Sequence, residues 1–196
     1  MNMKKIIIAL ILVMALIVCL PSCDSSNKYN EDLNTLNSLA SIGAKSYTIN
    51  IKVNSPEGES ITEIYTVKYT NDTRIVSYKT EKLNGFIIDG ENISAPNEYI
   101  TVAEGTLDAT ESANAKYAFP SFNFTKKAIS VNKVSNHGTY RTMQAKINSL
   151  HEFTGGSLEG SDASLTVKYD NYQITSIVIS YVTSSGNTTT ITYTVK

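Results

Sequence analysis

The sequence predicts a mainly β domain with one N-terminal helix, an α+β fold whose antiparallel meander forms a half-barrel or open barrel wrapped against that helix. Three observations carry the expectation. From residue 46 onward, apolar side chains alternate with hydroxylated or charged ones in run after run, which is the period of a strand with one buried face. Clusters of Asn, Asp, Gly and Pro interrupt these runs at short intervals, as turns between neighbouring strands do. One stretch, residues 31–45, places apolar residues at helical spacing. At 196 residues the chain is one domain or a domain with a tail. It divides into a leader (1–22), a short tether (23–30) and a single β-rich domain (31–196).

Lys4 and Lys5 make the first five residues a short basic segment, and residues 6–20 are an unbroken run of 15 apolar residues. That is the length of a signal-peptide core. As a helix it would reach about 22 Å, short of a hydrocarbon core about 30 Å thick, so a processed leader is expected rather than a spanning helix. Leu20-Pro21-Ser22-Cys23 follows and resembles the bacterial lipobox, with Leu at its first position, a small Ser before the cut and the obligatory Cys. Pro21 departs from the small or aliphatic residue more usual there. The resemblance covers the first 23 residues. It implies that the Cys23 thiol is alkylated by a diacylglyceryl group, that the peptide bond before it is cut, and that the new amino terminus is acylated. Two or three acyl chains on one residue anchor a protein stably, since each buried methylene contributes about 0.8 kcal/mol and a single chain is marginal. The expected location is extracytoplasmic, lipid-anchored to the bacterial cell membrane, with the membrane as a partner through acylated Cys23. Residues 24–29 then form a polar tether of at most about 20 Å. Asp24 resembles the inner-membrane retention signal of some two-membrane bacteria.

Asn30, Glu31 and Asp32 read as a helix start, a capping Asn followed by two acids where the dipole favours them. Leu33, Leu36 and Ala40 recur at helical spacing, Leu39 and Ile42 broaden the stripe, and Gly43 and Lys45 mark the end. The polar side is Asn, Thr and Ser rather than Lys and Arg, so the helix is expected to pack on the sheet rather than lie on lipid. Tyr47, Ile49, Ile51 and Val53 then alternate as a strand, and residues 54–58 turn the chain into a second with Tyr65, Val67 and Tyr69 on one face. Asn71-Asp72 leads into a third. Asp89-Gly90 is a hairpin signal, and residues 99–102 read as a further strand. Residues 104–118 are expected to hold a short helix from about 111 to 117, or a loop. Strands are expected again at 128–134 and 140–147, a single helical turn at 149–153 and a loop at 154–162. Three final strands follow around Leu165, Ile179 and Ile191. Their apolar faces and hydroxylated opposite faces mark an antiparallel meander with one wet side. Closure as a barrel, a half-barrel or a sandwich stays open at this level.

The order of helix, long hairpin with Pro56 and Gly58 in its turn, several strands, Asp89-Gly90 and the segment Phe119-Pro120-Ser121-Phe122-Asn123-Phe124 resembles the Lol-type half-barrel superfamily of lipoprotein carriers and sensors. The likeness runs over residues 30–124. It implies an acyl-chain or other apolar ligand in the concave face of the sheet, under the helix, with Tyr47, Ile49, Ile51, Tyr65, Val67, Phe119, Phe122 and Phe124 lining the cavity. The same residues are also those that would fill an ordinary core.

Composition narrows the chemistry. Loss of Lys4 and Lys5 with the leader takes the 17 basic residues to 15 against 18 acidic ones, a net charge of −3. A mildly acidic domain argues against binding nucleic acid, whose phosphate backbone selects basic surfaces. Cys19 and Cys23 are the only cysteines, so a disulfide framework, a Cys metal site and a Cys nucleophile are excluded from the domain. His137 sits in a turn, and His151 beside Glu152 has no Ser in a strained elbow to activate. Glycine-rich phosphate loops are absent. The expected function is a monomeric, non-catalytic envelope lipoprotein, without metal or cofactor, that binds a lipid or other apolar ligand. The alternative is an envelope structural or protein/glycan interaction module with no ligand cavity.

Overall fold

The computed structural model describes residues 28–83, 87–89, 92–94 and 99–196. The leader, Cys23 and the tether as far as residue 27 lie outside the described residues, as does Gly90 of the expected Asp89-Gly90 turn. The sheet belongs to the compact unit Asp32–Lys196.

Helix α1 (Asn30–Ile42) buries Leu33, Leu36, Leu39 and Ala40, the stripe its spacing specifies. It stops at Gly43, which takes a φ of 71°, a left-handed conformation that costs glycine nothing. The helix is therefore three residues shorter than the expected 31–45 at its C-terminal end. Ile42, at the last helical position, stands in solvent instead of widening the apolar stripe.

Among the described residues eleven strands follow: β1 (Ser46–Asn54), β2 (Ser60–Thr70), β3 (Thr73–Leu83), β4 (Ile87–Asp89), β5 (Asn92–Ser94), β6 (Tyr99–Thr106), β7 (Ile129–Asn136), β8 (Arg141–Ile147), β9 (Ser161–Tyr169), β10 (Ile174–Val182) and β11 (Thr188–Val195). Nine of them form one antiparallel sheet in the order β6-β3-β2-β1-β11-β10-β9-β8-β7, and β4 and β5 pair as a separate hairpin. The fold is thus an open, mainly antiparallel β architecture with one N-terminal helix, an α+β half-barrel. Its β1 pairs with β2 on one side and with β11 on the other, Tyr47 opposite both Val67 and Val195. Two meanders, β1 to β3 and β7 to β11, are thereby joined edge to edge.

Local chemistry explains the turns. Asn71 and Asp72 hold φ angles of 48° and 61°, the paired left-handed geometry of a two-residue hairpin loop whose twist matches that of its strands. Residues 104–118 divide rather than form one helix from 111 to 117. Strand β6 continues to Thr106, and a short helix α2 (Ala109–Ser112) follows, capped by the Asp108 carboxylate, which accepts from the Glu111 N–H at 2.8 Å. A single 3₁₀ turn, Ala115–Tyr117, is capped in the same manner by Asn114. Helix α3 (Leu150–Phe153) is the expected single turn, capped by Ser149. Strand β9 begins at Ser161, inside the stretch expected to be loop. The close approach of Gly160 to β10 makes this possible, because a Cβ there would lie 2.5 Å from the Tyr181 ring.

One polar latch ties the start of the Asp32–Lys196 unit to the sheet. The Asp32 carboxylate accepts from the Arg141 guanidinium at 3.0 Å and from the Tyr169 hydroxyl at 2.6 Å. Arg141 opens β8 and Tyr169 closes β9, opposite each other in register. Charge-assisted hydrogen bonds of this kind are about twice as strong as neutral ones. Asp32→Ala leaves the buried Tyr169 hydroxyl without its acceptor and is expected to lower the unfolding free energy by about 2 kcal/mol, against about 1 kcal/mol for Tyr169→Phe. Urea denaturation of the two variants checks the order.

Candidate functional site

The concave face of the sheet is the candidate site, and what fills it is the chain's own connector, residues 107–128. Strand β6 ends at the sheet end where β3 begins, and β7 starts at the opposite end. The connector therefore travels the length of the sheet between its two free edges. Pro120 keeps it extended, and its aromatic side chains enter the core. The Phe119 ring meets Tyr47 at 5.2 Å and Tyr193 at 5.8 Å, both edge-on. Phe122 stacks on Phe153 at 5.3 Å and meets Tyr193 edge-on at 5.5 Å. Phe124 meets Phe153 edge-on at 5.3 Å. Such pairs add about 0.5–1.5 kcal/mol each beyond the area they bury.

Four hydrogen bonds hold the connector. The Asn37 side chain on α1 donates to the Phe124 carbonyl and accepts from the Phe124 N–H, both at 2.9 Å, as a neighbouring strand would. Tyr47 on β1 donates its hydroxyl to the Tyr117 carbonyl. The Asn123 N–H donates to the Phe153 carbonyl at 2.9 Å. An irregular segment crossing an apolar face needs such partners, because an unpaired buried amide costs about 1–3 kcal/mol.

Of the residues expected to line a cavity, Tyr47, Ile49, Tyr65, Val67, Phe122 and Phe124 are buried in one continuous core, and Ile51 and Phe119 are partly buried against it. Helix α1, β1, β2 and the connector bring all eight together. Phe119 alone among them borders a cleft, of about 250 Å³, floored by Leu39, Ile174 and Val195 beneath the C-terminal end of α1. A second cleft of about 600 Å³ is polar. Lys146, Asn148, His151, Glu159 and Asp162 line it where β8, α3 and β9 meet.

Of the two histidines, His137 stacks on Tyr140 at 4.7 Å, and His151 borders the polar cleft beside Gly156. Among the described residues no group of three His, Cys, Asp or Glu side chains is placed to hold a metal ion. Two features escaped sequence reasoning. Tyr172 and Ile42 are the most exposed large apolar side chains of the described chain, at 84% and 74%, and both border the smaller cleft, with Lys45 and Lys196 beside them. The signal for Tyr172 was its position: an aromatic residue in a turn, where no alternation demands one.

Burial sets the electrostatics of the core. Desolvation raises the Tyr193 hydroxyl from 10.0 to about 12, and it pushes Tyr47, Tyr65 and Tyr169 higher still. A tyrosine whose pKa is raised on folding holds its proton more tightly in the native state. Its contribution is therefore intact below pH 10 and is lost as pH rises from about 10 through the folded value. Tyr193, the most deeply desolvated of them, removes up to about 1.4 kcal/mol per pH unit in that window, and the others less. The protein is expected to unfold cooperatively above about pH 10, and Tyr193→Phe should shift that midpoint upward in a circular-dichroism titration. Asn37→Ala is expected to cost about 2 kcal/mol. Asn37→Asp should recover only part of that, because it keeps the acceptor for the Phe124 N–H and loses the donor to its carbonyl.

No protein-family model matches the chain, and no curated protein matches its sequence. Among solved structures, a de novo designed fluorescence-activating β-barrel is 8% identical, aligns over 76% of this chain and 91% of its own, and has a TM-score of 0.20. A bifunctional dehydratase-cyclase domain from ambruticin biosynthesis is 13% identical over 83% of this chain and 80% of its own, with a TM-score of 0.17. Likeness at that level carries no argument about function. Among the described residues, no helix is long and apolar enough to cross a membrane.

Proposed function

We propose that the chain is a lipid-anchored lipoprotein of the bacterial envelope, held by acylated Cys23, whose β domain is a non-catalytic interaction module rather than a lipid carrier. The lipobox-like Leu20-Pro21-Ser22-Cys23 supports the anchor. The observation that carries the domain's role is the wedge of Phe119, Phe122 and Phe124, which occupies the concave face where a carried acyl chain would lie. A carrier needs that volume empty or exchangeable. Here it is packed with aromatic rings clamped through Asn37, and displacing them would forfeit about 1.5–3 kcal/mol of burial per ring.

A second reading, a carrier of a small apolar ligand, draws on the cleft of about 250 Å³ that ends on Phe119. The two readings separate in one assay. Delipidated protein is mixed with a fluorescent fatty-acyl probe, and the interaction module gives no saturable uptake at micromolar protein. Stoichiometric uptake, strengthened in Phe119→Ala where the cleft is deepened, would establish the carrier instead. The anchor is tested separately. Cells fed an alkyne-tagged fatty acid should label the wild-type chain and leave Cys23→Ala unlabelled; equal labelling of both rules the anchor out.

A further inference from the structure

The end of the sheet that carries both ends of the Asp32–Ile42 stretch of α1 has surface chemistry that the core does not explain. Asp32 is bonded to Arg141 and Tyr169, at the start of β8 and the end of β9. Ile42 borders the same cleft as Ile174 and Val195, at the start of β10 and the end of β11. The stretch therefore runs across one end of the sheet, and the β9–β10 turn with Tyr172 lies at that same end.

The two most exposed large apolar side chains of the described residues, Tyr172 and Ile42, project from this end and rim one cleft. Leaving them in water forgoes about 1.5–3 kcal/mol for the aliphatic one alone. Lys45 and Lys196 border the same cleft, and Lys68 is exposed opposite Ser46 in register. Arg74 lies close by at the start of β3, bonded to the Tyr69 hydroxyl. The acids at this end are Asp32, with Glu31 beside it in the chain, Asp72, Asp170, and Asp108 and Glu111 just past the end of β6, and none of them lines the cleft that carries Lys45 and Lys196. Asp32 is neutralised by Arg141, and the Asp170 carboxylate accepts from the Tyr172 and Gln173 N–H groups at 2.7 and 2.9 Å. Those two bonds also fix the turn that presents Tyr172. Protruding apolar and aromatic tips beside the two lysines of this cleft match an interface between water and anionic lipid, where aromatic rings sit at the headgroup level and lysine stems reach to the phosphates.

We propose that this end of the domain docks on an anionic membrane surface, with Ile42 and Tyr172 entering the headgroup region and Lys45 and Lys196 pairing with lipid phosphates. For its proximity to the bilayer the inference rests on the acylated Cys23 of the preceding section. From Cys23 to Asp32 the chain reaches at most about 30 Å, so this end can meet the surface.

The test uses the full chain, expressed with its leader and reconstituted on phosphatidylcholine vesicles with or without phosphatidylglycerol. The sequence has no Trp, so Tyr172→Trp and Ser185→Trp each provide a single fluorophore, Ser185 being exposed in the turn at the opposite end of the sheet. With phosphatidylglycerol present, the Tyr172→Trp emission should shift to the blue and be quenched by lipids brominated along their acyl chains, while Ser185→Trp remains water-like. Replacing Lys45 and Lys196 together by Ala should lower the docked-to-free ratio about thirty-fold, at roughly five-fold per lysine near an anionic surface. Water-like Tyr172→Trp emission on vesicle-bound protein overturns the docking and leaves the face to a protein partner. Equal quenching of both probes, or indifference to phosphatidylglycerol and to the lysines, overturns it as well. The acyl mass on Cys23 is measured in the same preparation by mass spectrometry. Protein lacking it defeats the anchored reading, while quenching titrated against free vesicles still decides the docking face.

Discussion

An open sheet with an apolar concave face has to cover that face, and the covering segment here is the connector between the two free edges. Strands β6 and β7 are not paired to each other, so the strand ladder cannot seal the interior as it does in a closed barrel. Residues 107–128 bridge the gap in sequence and fill the hollow with Phe119, Phe122 and Phe124. Asn37 gives the segment the two backbone hydrogen bonds that a missing neighbouring strand would have provided. Helix α1 therefore does more than bury a leucine stripe: it is the surface on which the connector is registered. Tyr47 performs the same service from β1, so the two elements that begin the domain hold a segment 70 to 87 residues further along the chain.

The join of β1 to β11 is the second consequence of that arrangement. The long pairing from Tyr47–Val195 to Asn54–Thr188 brings together strands about 140 residues apart, and it unites the two local meanders into one sheet. Contacts of such separation carry the largest loop-closure cost. The β9 to β11 meander, all short hairpins, can assemble before them. Burial of Tyr193 on β11 against the Phe wedge then depends on the connector having arrived. Core completion and sheet completion are one event in this architecture.

Much of this was legible in the sequence, and the illegible parts have specific causes. Strands β1, β2 and β9 to β11 announced themselves because one face of each is wet, so Tyr47 and Ile49 or Leu165 and Val167 alternate with Thr and Lys. Alternation reports which face is buried and says nothing of what buries it. The eight residues expected to line a cavity are thus in the interior in every reading, and whether they surround a void is decided by the connector, which has no periodicity to read. Before Tyr65 the rule breaks down even within a strand: β2 buries Ser60 and Thr62 on its other face, where the Tyr99 hydroxyl lies 3.0 Å from Ser60. A twisted sheet changes the side on which it is covered, and a sequence pattern of period two has no term for that.

The exposed tips at the α1 end follow from the same geometry. Gly43 ends the helix sharply with its left-handed φ, which strands Ile42 one position beyond the surface that buries Leu39. The Asp170 carboxylate holds the β9–β10 turn so that Tyr172 points away from the sheet, and Ile174 is the first residue of β10 to enter the core. Neither side chain gains anything from the fold where it stands. In an isolated domain a polar residue would serve better at both positions. With Cys23 acylated as proposed, the chain preceding Asp32 would hold these two side chains within about 30 Å of a bilayer, where they would find an apolar medium to enter and the lysines beside them counter-charges. The latch of Asp32 on Arg141 and Tyr169 then has a mechanical meaning too. Under the proposed anchor it is where tension from the N-terminus would enter the domain, and it would pass that tension to β8 and β9 in the middle of the second meander instead of to the helix alone.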